Sequence, residues 1–421
     1  MLSVLIPVYN KWSLTEECLT SLAKTGGDGC DVILVDNASS DETAQAAPAL
    51  GAKLFPGRFT YIREECNRNF AGAINDGAAR ARGTYLLWLN NDTILLDGWR
   101  EPLIDALSHD PSLGAVGPLL LYPSKNGKQR VQHAGIVFSL NREVSHLYEF
   151  FPANHAYVRK KRRLQAITGA AFCIARERFL SLGGLNERFR NGFEDVEFCD
   201  RLCRAGFAQT VIPDSRIIHI GQQTEGRGAY ERENSALCGE LCTTIRFDKA
   251  RVFREDGYTP IVSPWLKGSA LTFLPVTTQY TLEHKEALAA KSTAPLYALT
   301  ELDPYWIEGG LALASRLEEA LQLKDAFHEY IRLLDFCSTP DVLLPAAQFL
   351  KRHDPSLFER FLGPLSLYRT TPAARSAALY AAEKKLRAQG EEELAWQVNR
   401  LGRKNADFFA HTYPALARIV A

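Results

Sequence analysis

No stretch of the 421-residue sequence reaches 18 uninterrupted apolar residues, so no membrane-spanning helix is expected. An excess of either charge is missing as well: 49 Lys and Arg balance 49 Asp and Glu. A neutral chain argues against a broad nucleic-acid surface, and no nucleic-acid partner is expected. The opening residues, Met1 to Tyr9, lack a basic segment and reach Pro7 within the length of a strand. They read as a strand rather than a signal peptide. The nine cysteines include no Cys-x2-Cys knuckle. Cys199 with Cys203 and Cys238 with Cys242 form i,i+4 pairs that could in principle hold zinc, yet they fit better as small buried hydrophobes of a reducing cytosol. The expected location is therefore cytoplasmic.

What is present is globular composition, 46% hydrophobic and 23% charged, in a chain longer than one ordinary domain. The first ninety residues alternate strand and helix patterns. Leu2–Val8, Val32–Val35, Phe59–Ile62 and Tyr85–Leu89 are strand-like. Trp12–Ala23, Asp41–Leu50 and Ala71–Arg82 are helix-like. This alternation predicts an α/β fold with a mainly parallel central sheet. Ligands of such sheets bind beyond the carboxyl ends of the strands, which directs attention to Tyr9-Asn10, Asp36-Asn37 and Asn90-Asn91-Asp92. From Gly114 to Ile220 the pattern becomes mixed. The stretch from Tyr258 to Pro304 carries few regular signals and reads as a linker or wrapping segment. Trp306 onward is expected to be an all-α region. The implied boundaries are 1–250, 251–304 and 305–421.

Six ordered segments carry a specific resemblance. They are Val4-Leu-Ile-Pro-Val-Tyr-Asn10, Val35-Asp-Asn-Ala-Ser-Ser-Asp41, Asn67 through Asn75 with Gly83-Thr-Tyr85, Leu87-Trp-Leu-Asn-Asn-Asp-Thr93, Gly183 through Phe189, and Phe193-Glu-Asp-Val-Glu197 followed by His219. Together they resemble family 2 glycosyltransferases of the GT-A fold, inverting enzymes of bacterial surface-glycan synthesis. The resemblance spans residues 2–250 and implies a UDP- or dTDP-sugar donor and a glycan, lipid-linked or protein acceptor.

The residues can be weighed one by one. Asp36 follows an apolar strand, where its carboxylate can accept a hydrogen bond from a base or ribose, although Asp-Asn-x-Ser is also good turn chemistry. Pro7, Tyr9, Asn10 and Asn37 flank the same expected nucleotide site. Asn90-Asn91-Asp92 stands where the resemblance places a metal-binding Asp-x-Asp, but only Asp92 is ionised. His219 is the implied second ligand; its alternative is a core histidine within Ile217-Ile218-His-Ile220. Mn²⁺ suits mixed oxygen and imidazole donors, with Mg²⁺ as the alternative.

Asp195, beside Glu194, is the implied general base, and either carboxylate also suits the first turn of a helix. Asn67, Ala71, Gly72 and Asn75 open a helix whose backbone N–H groups could approach donor phosphates, though Gly72 equally suits close packing. Thr168, Gly169 and Ala170 are expected on the acceptor side. The cation run Arg159-Lys-Lys-Arg-Arg163 reads first as a solvated loop, and second as peripheral contact with anionic headgroups on the inner membrane face. The apolar helix faces beyond Trp306, with Leu313, Leu317 and Leu321, suggest packing within a bundle or a homo-oligomer. Two other functions compete. A sugar nucleotidyltransferase would want a Gly-rich basic loop where Pro7-Val-Tyr-Asn10 stands. A non-catalytic nucleotide-sugar scaffold gains weight from Asn90.

Overall fold

Strand β1 (Leu2–Val8) and β2 (Cys30–Asp36) are apolar along nearly their whole length because helices cover both faces of the sheet they share. A computed structural model describes residues 1–124, 127–221, 227–267, 270–276, 281–358 and 371–403. The chain divides into two compact units: residues 1–137 with 144–245, and residues 138–143 with 246–421.

In the first unit, α1 (Trp12–Lys24), α2 (Thr43–Leu54) and α3 (Asn69–Arg80) connect β1, β2, β3 (Phe59–Arg63) and β4 (Tyr85–Leu89). The sheet continues through β5 (Thr93–Leu95), α4 (Glu101–His109), β6 (Leu113–Leu121) and β7 (Val131–His133). The short pair β8 (Ile136–Phe138) and β9 (Val144–His146) follows. Then come β10 (Ala171–Ala175), α5 (Arg176–Ser181), α6 (Glu194–Arg204), β11 (Ala208–His219) and α7 (Glu231–Leu241). The strand order is β3-β2-β1-β4-β10-β6-β11-β5.

The α/β expectation is met, but the sheet is mixed rather than mainly parallel. Parallel pairing holds across β3-β2-β1-β4 and between β6 and β11. β10 runs antiparallel to both β4 and β6, and β5 runs antiparallel to β11. The reason is positional: β10 starts where β4 stops, tied by the Asn90 N–H donating to the Ala170 carbonyl at 2.9 Å. No crossover helix turns the chain around first, so β10 must run back along β4.

Under the site, Trp88 of β4 stacks on Phe172 of β10 at 4.1 Å and 7°. Phe198 of α6 meets the Trp88 ring edge-on at 5.6 Å. All three are fully buried, so a rigid aromatic cluster fixes α6 against the sheet.

The second unit contains α8 (Lys249–Glu255), the antiparallel hairpin β12 (Thr259–Lys267) and β13 (Ala270–Val276), and helices α9 (Leu282–Ala289) and α10 (Ala294–Leu302). The reading of 251–304 as a linker is thus corrected. Its prolines sit within a two-stranded ribbon, where a missing N–H is tolerated, and they masked the strand pattern. Beyond it lie α11 (Ile307–Glu319), α12 (Leu323–Phe336), α13 (Pro340–His353), α14 (Pro372–Ala388) and α15 (Glu392–Arg403). Leu313 and Leu317 are buried within this unit's own core, whereas Leu321 is 79% exposed. Among the described residues, no helix is long and apolar enough to cross a membrane.

Candidate active site

A cleft of about 1380 Å³ opens at the carboxyl ends of β1 and β4. Pro7, Tyr9 and Asn10 follow β1 along its wall, and Asn37 follows β2. Asn67 stands ahead of α3. Asn90, Asn91 and Asp92 follow β4, and Thr168, Gly169 and Ala170 precede β10. Glu194 and Asp195 open α6, and His219 ends β11. The sheet therefore gathers most of the residues singled out from the sequence.

Sheet register explains the closest pairing. Thr93 of β5 lies opposite His219 of β11, so Asp92, one residue earlier, meets the imidazole. Asp92 Oδ1 is 3.2 Å from His219 Nε2, and its Oδ2 accepts the Gly221 N–H at 3.1 Å. Burial pushes the Asp92 carboxyl up, but a protonated His219, donating from Nε2 and carrying charge, outweighs that and holds the carboxyl below its usual value. The Asn90 amide nitrogen stands 3.3 Å from the same imidazole nitrogen. Asn91 turns away to donate to the Thr15 hydroxyl at 2.9 Å.

Sequence reasoning missed Gln132. Its Oε1 accepts from His219 Nδ1 at 2.5 Å, while its Nε2 donates to the His219 carbonyl at 3.0 Å. This bond keeps a proton on Nδ1, so in the neutral ring the Nε2 lone pair faces Asp92. Gln132 occupies an irregularity in the β6–β7 ladder, where Leu120 pairs with His133 and Leu121 with Val131. An extra residue of this kind re-aims its side chain, and a three-residue strand carries no periodicity that would reveal it.

Asp195 is partly exposed at the first turn of α6. Its Oδ2 accepts the Gly169 N–H at 2.7 Å, so the carboxylate is anchored to the segment expected on the acceptor side. Glu194 is buried and accepts the Gly192 N–H at 2.6 Å. Backbone strain concentrates around the cleft: the non-glycine residues Asn10, Lys11, Asn69, Phe150, Asn191 and Phe193 all have φ between 52° and 70° and all line it. Such strain persists where the surroundings over-determine it, and it clusters at functional sites.

Four expected donor residues do not line the cleft. Asp36 is fully buried, and its carboxylate accepts from Tyr61 Oη and Arg63 Nη1, both at 2.6 Å, and from the Ser39 N–H at 2.8 Å. Asn75 is consumed by the loop before α6, donating to the Leu185 carbonyl and Glu187 and accepting the Leu185 N–H. Ala71 and Gly72 lie on the buried face of α3; a Cβ on Gly72 would stand 2.7 Å from the Arg68 Cβ, so packing explains the glycine. Away from the cleft, Arg159 and Arg163 pair with Asp214 and Asp110, and Arg162 lies over the Tyr148 ring. These arginines are engaged by the protein's own groups.

Residues 3–179 match the model of glycosyl transferase family 2. This segment is a family 2 glycosyltransferase domain. Among curated relatives, the O-antigen biosynthesis protein RfbC of Myxococcus xanthus is 30% identical over 52% of this chain and 17% of its own length. The N-acetylglucosaminyl-diphospho-decaprenol L-rhamnosyltransferase of Mycobacterium tuberculosis is 26% identical over 54% of this chain and 78% of its own. The chain spans less than a third of the length of the first two curated relatives that it matches. The crystal structure of GalNAc-T7 with UDP, GalNAc and Mn²⁺ overlaps 52% of this chain and 43% of its own, at a TM-score of 0.44 and 22% identity.

Proposed function

We infer that the chain transfers a glycosyl group from a nucleoside-diphosphate sugar, with UDP or dTDP as the nucleotide, to an acceptor hydroxyl, inverting the anomeric centre. The carrying observation is that the Asp92–His219 pair and Asp195 line one cleft at the ends of the sheet strands. The relatives' names point to bacterial surface glycan synthesis and place a deoxyhexosyl donor first among those to screen.

The donor set suits a divalent cation. A carboxylate oxygen and an imidazole nitrogen whose tautomer is held from behind by Gln132 are ligand types Mn²⁺ accepts, with Mg²⁺ as the alternative. Asp92 and His219 would hold that ion, and when bound it offsets the charge that grows on the departing diphosphate. Asp195 takes the proton from the acceptor hydroxyl as that oxygen attacks the anomeric carbon from the face opposite the diphosphate. The Gly169 N–H fixes the Asp195 Oδ2 in direction during this step. Tyr9, Asn10, Asn37 and Asn67 border the space for the nucleotide, and Asp36 shapes that border from behind through Ser39 and Arg63.

Turnover of a panel of UDP- and dTDP-sugars, with Mn²⁺ and with excess EDTA, tests this reading. Hydrolysis or transfer that EDTA abolishes is expected, and Asp92→Ala should lose it. Full activity in EDTA would remove the metal assignment. Nucleotide binding without any turnover would favour the scaffold reading to which the uncharged Asn90 and Asn91 lend weight.

A further inference from the structure

The start of α3 is clasped from two sides of the cleft. Asn37, just past β2, accepts the Arg68 N–H and donates to the Asn69 carbonyl, both at 3.2 Å. Asn191, in the loop that leads to α6, accepts the Phe70 N–H at 3.0 Å. The Asn69 N–H is taken by the Asn67 side chain at 2.8 Å. Asn69 and Asn191 sit at φ 58° and 52°, strained values that these bonds over-determine. The N–H groups of Arg68, Asn69 and Phe70 are therefore occupied by the protein itself, and the expectation that this turn meets donor phosphates through them is not met.

What the clasp brings to the cleft is Phe70, a half-buried residue of the lining. Among the described residues no other aromatic ring packs on it. Its ring edge lies beside Gly169. A Cβ built on Gly169 would stand 3.5 Å from Phe70 Cε1, 3.2 Å from Asp195 Cβ and 3.5 Å from Asp195 Oδ2. Gly169 does not have a left-handed φ, so close approach, rather than backbone freedom, accounts for the glycine. Because position 169 carries no side chain, the phenyl edge and the carboxylate of the proposed base border the same small gap.

In an in-line displacement the diphosphate leaves on the nucleotide side and the attacking hydroxyl stands at the base, so the transferred sugar lies between them. Phe70 spans that interval: its turn is tied to Asn37 on the nucleotide border, and its ring meets Gly169 beside Asp195. We propose that Phe70 is the specificity-determining platform for the transferred sugar, its phenyl ring covering the C–H groups on one face of that pyranose. Asn37 and Asn191 are positioning residues that act through the Phe70 turn. The proposal rests on the glycosyltransferase reading and adds to it the residue that tells a nucleotide sugar from the bare nucleotide.

The test titrates the full chain, in Mn²⁺, with UDP and dTDP and with UDP-glucose, UDP-galactose, UDP-N-acetylglucosamine and dTDP-rhamnose. The quantity read is the Kd of each sugar nucleotide divided by the Kd of its own nucleotide diphosphate. For at least one sugar, Phe70→Ala should raise that ratio about tenfold, the scale of losing roughly 50 Å² of apolar contact, while UDP or dTDP binds as before. Phe70→Tyr keeps the flat ring and should keep the parent's ratio. Phe70→Leu fills most of the same volume without a flat face, so it should raise the ratio too, and it carries the test if the alanine variant fails to fold. A ratio unchanged in Phe70→Leu and Phe70→Ala for every sugar would overturn the platform. Equal weakening of nucleotide and sugar nucleotide would also overturn it and leave Phe70 as packing. If neither UDP nor dTDP binds the parent chain, the glycosyltransferase reading itself fails.

Discussion

Gln132→Leu separates support of His219 from packing beneath it. The substitution keeps approximate volume and removes two hydrogen bonds, the 2.5 Å bond from His219 Nδ1 and the 3.0 Å bond to the His219 carbonyl. Leaving the buried Nδ1–H unsatisfied costs about 1–3 kcal/mol, so a loss of stability on that order is expected whatever the site does. The decisive readout is different. Without Gln132 the imidazole is free to place its proton on Nε2, where it would donate to Asp92 rather than offer a lone pair. Partners of metal-ligating histidines contribute about 10–100-fold in metal affinity or activity, so Mn²⁺ activation should shift to higher concentration by that factor. Titrating Mn²⁺ against turnover, with thermal melting on the same samples, measures both quantities. A Gln132→Leu protein that melts lower yet keeps the parent's Mn²⁺ dependence would refute the reasoning and leave Gln132 as a structural residue.

Asp195→Asn keeps the shape and the Gly169 contact but cannot take a proton; kcat should fall on the order of 10²-fold or more with donor affinity unchanged, as read by steady-state kinetics beside nucleotide titration. Parent-level turnover would place the base elsewhere, with Glu194→Gln the next variant to assay. Phe198→Ala opens the aromatic cluster beneath α6 and should cost about 3–5 kcal/mol in denaturant unfolding, with activity falling at temperatures where the fold survives. A change below about 1 kcal/mol would show that the cluster does not hold α6. Removing residues 246–421 strips Leu140 of its partners Phe247, Ala250 and Val262, so the shortened chain should be soluble and still bind nucleotide only with a polar substitution such as Leu140→Ser. Solubility measured with and without that change is the check.

The first ninety residues were the most legible part of the chain, because β1, β2 and β4 are near-continuous apolar runs and the helices between the strands have their own period. That alternation located the strand ends, and the ordered motifs singled out Asp92, Asp195 and His219, which the fold brings to one cleft. The second half of the sheet was harder to read. β7, β8 and β9 have three residues each, too few for any pattern, and they carry Gln132, His133 and His146 to or behind the cleft wall. The antiparallel course of β10 follows from where the chain enters the sheet, a fact of tertiary structure. Likewise the β12–β13 hairpin hides behind prolines that ordinarily argue against strands.

Asp36 and Asp92 show most sharply what a sequence can and cannot say about a site. Both are carboxylates at or just beyond the end of a parallel strand, and the same rule recommended both for ligand contact. Their neighbours decide otherwise. In the β2–β3 ladder Asp36 stands opposite Arg63, whose guanidinium, with the Tyr61 hydroxyl and the Ser39 N–H, saturates the buried carboxylate. Asp92 stands beside an imidazole whose far nitrogen holds a proton against Gln132, so when that ring is neutral the carboxylate faces a lone pair and the Gly221 N–H rather than a fixed cation. The Asp36 charge is spent internally, whereas the Asp92 charge is open to the divalent cation that the proposed function calls for. The difference lies in strand register, which pairs residues far apart in the chain, and no single strand carries that information.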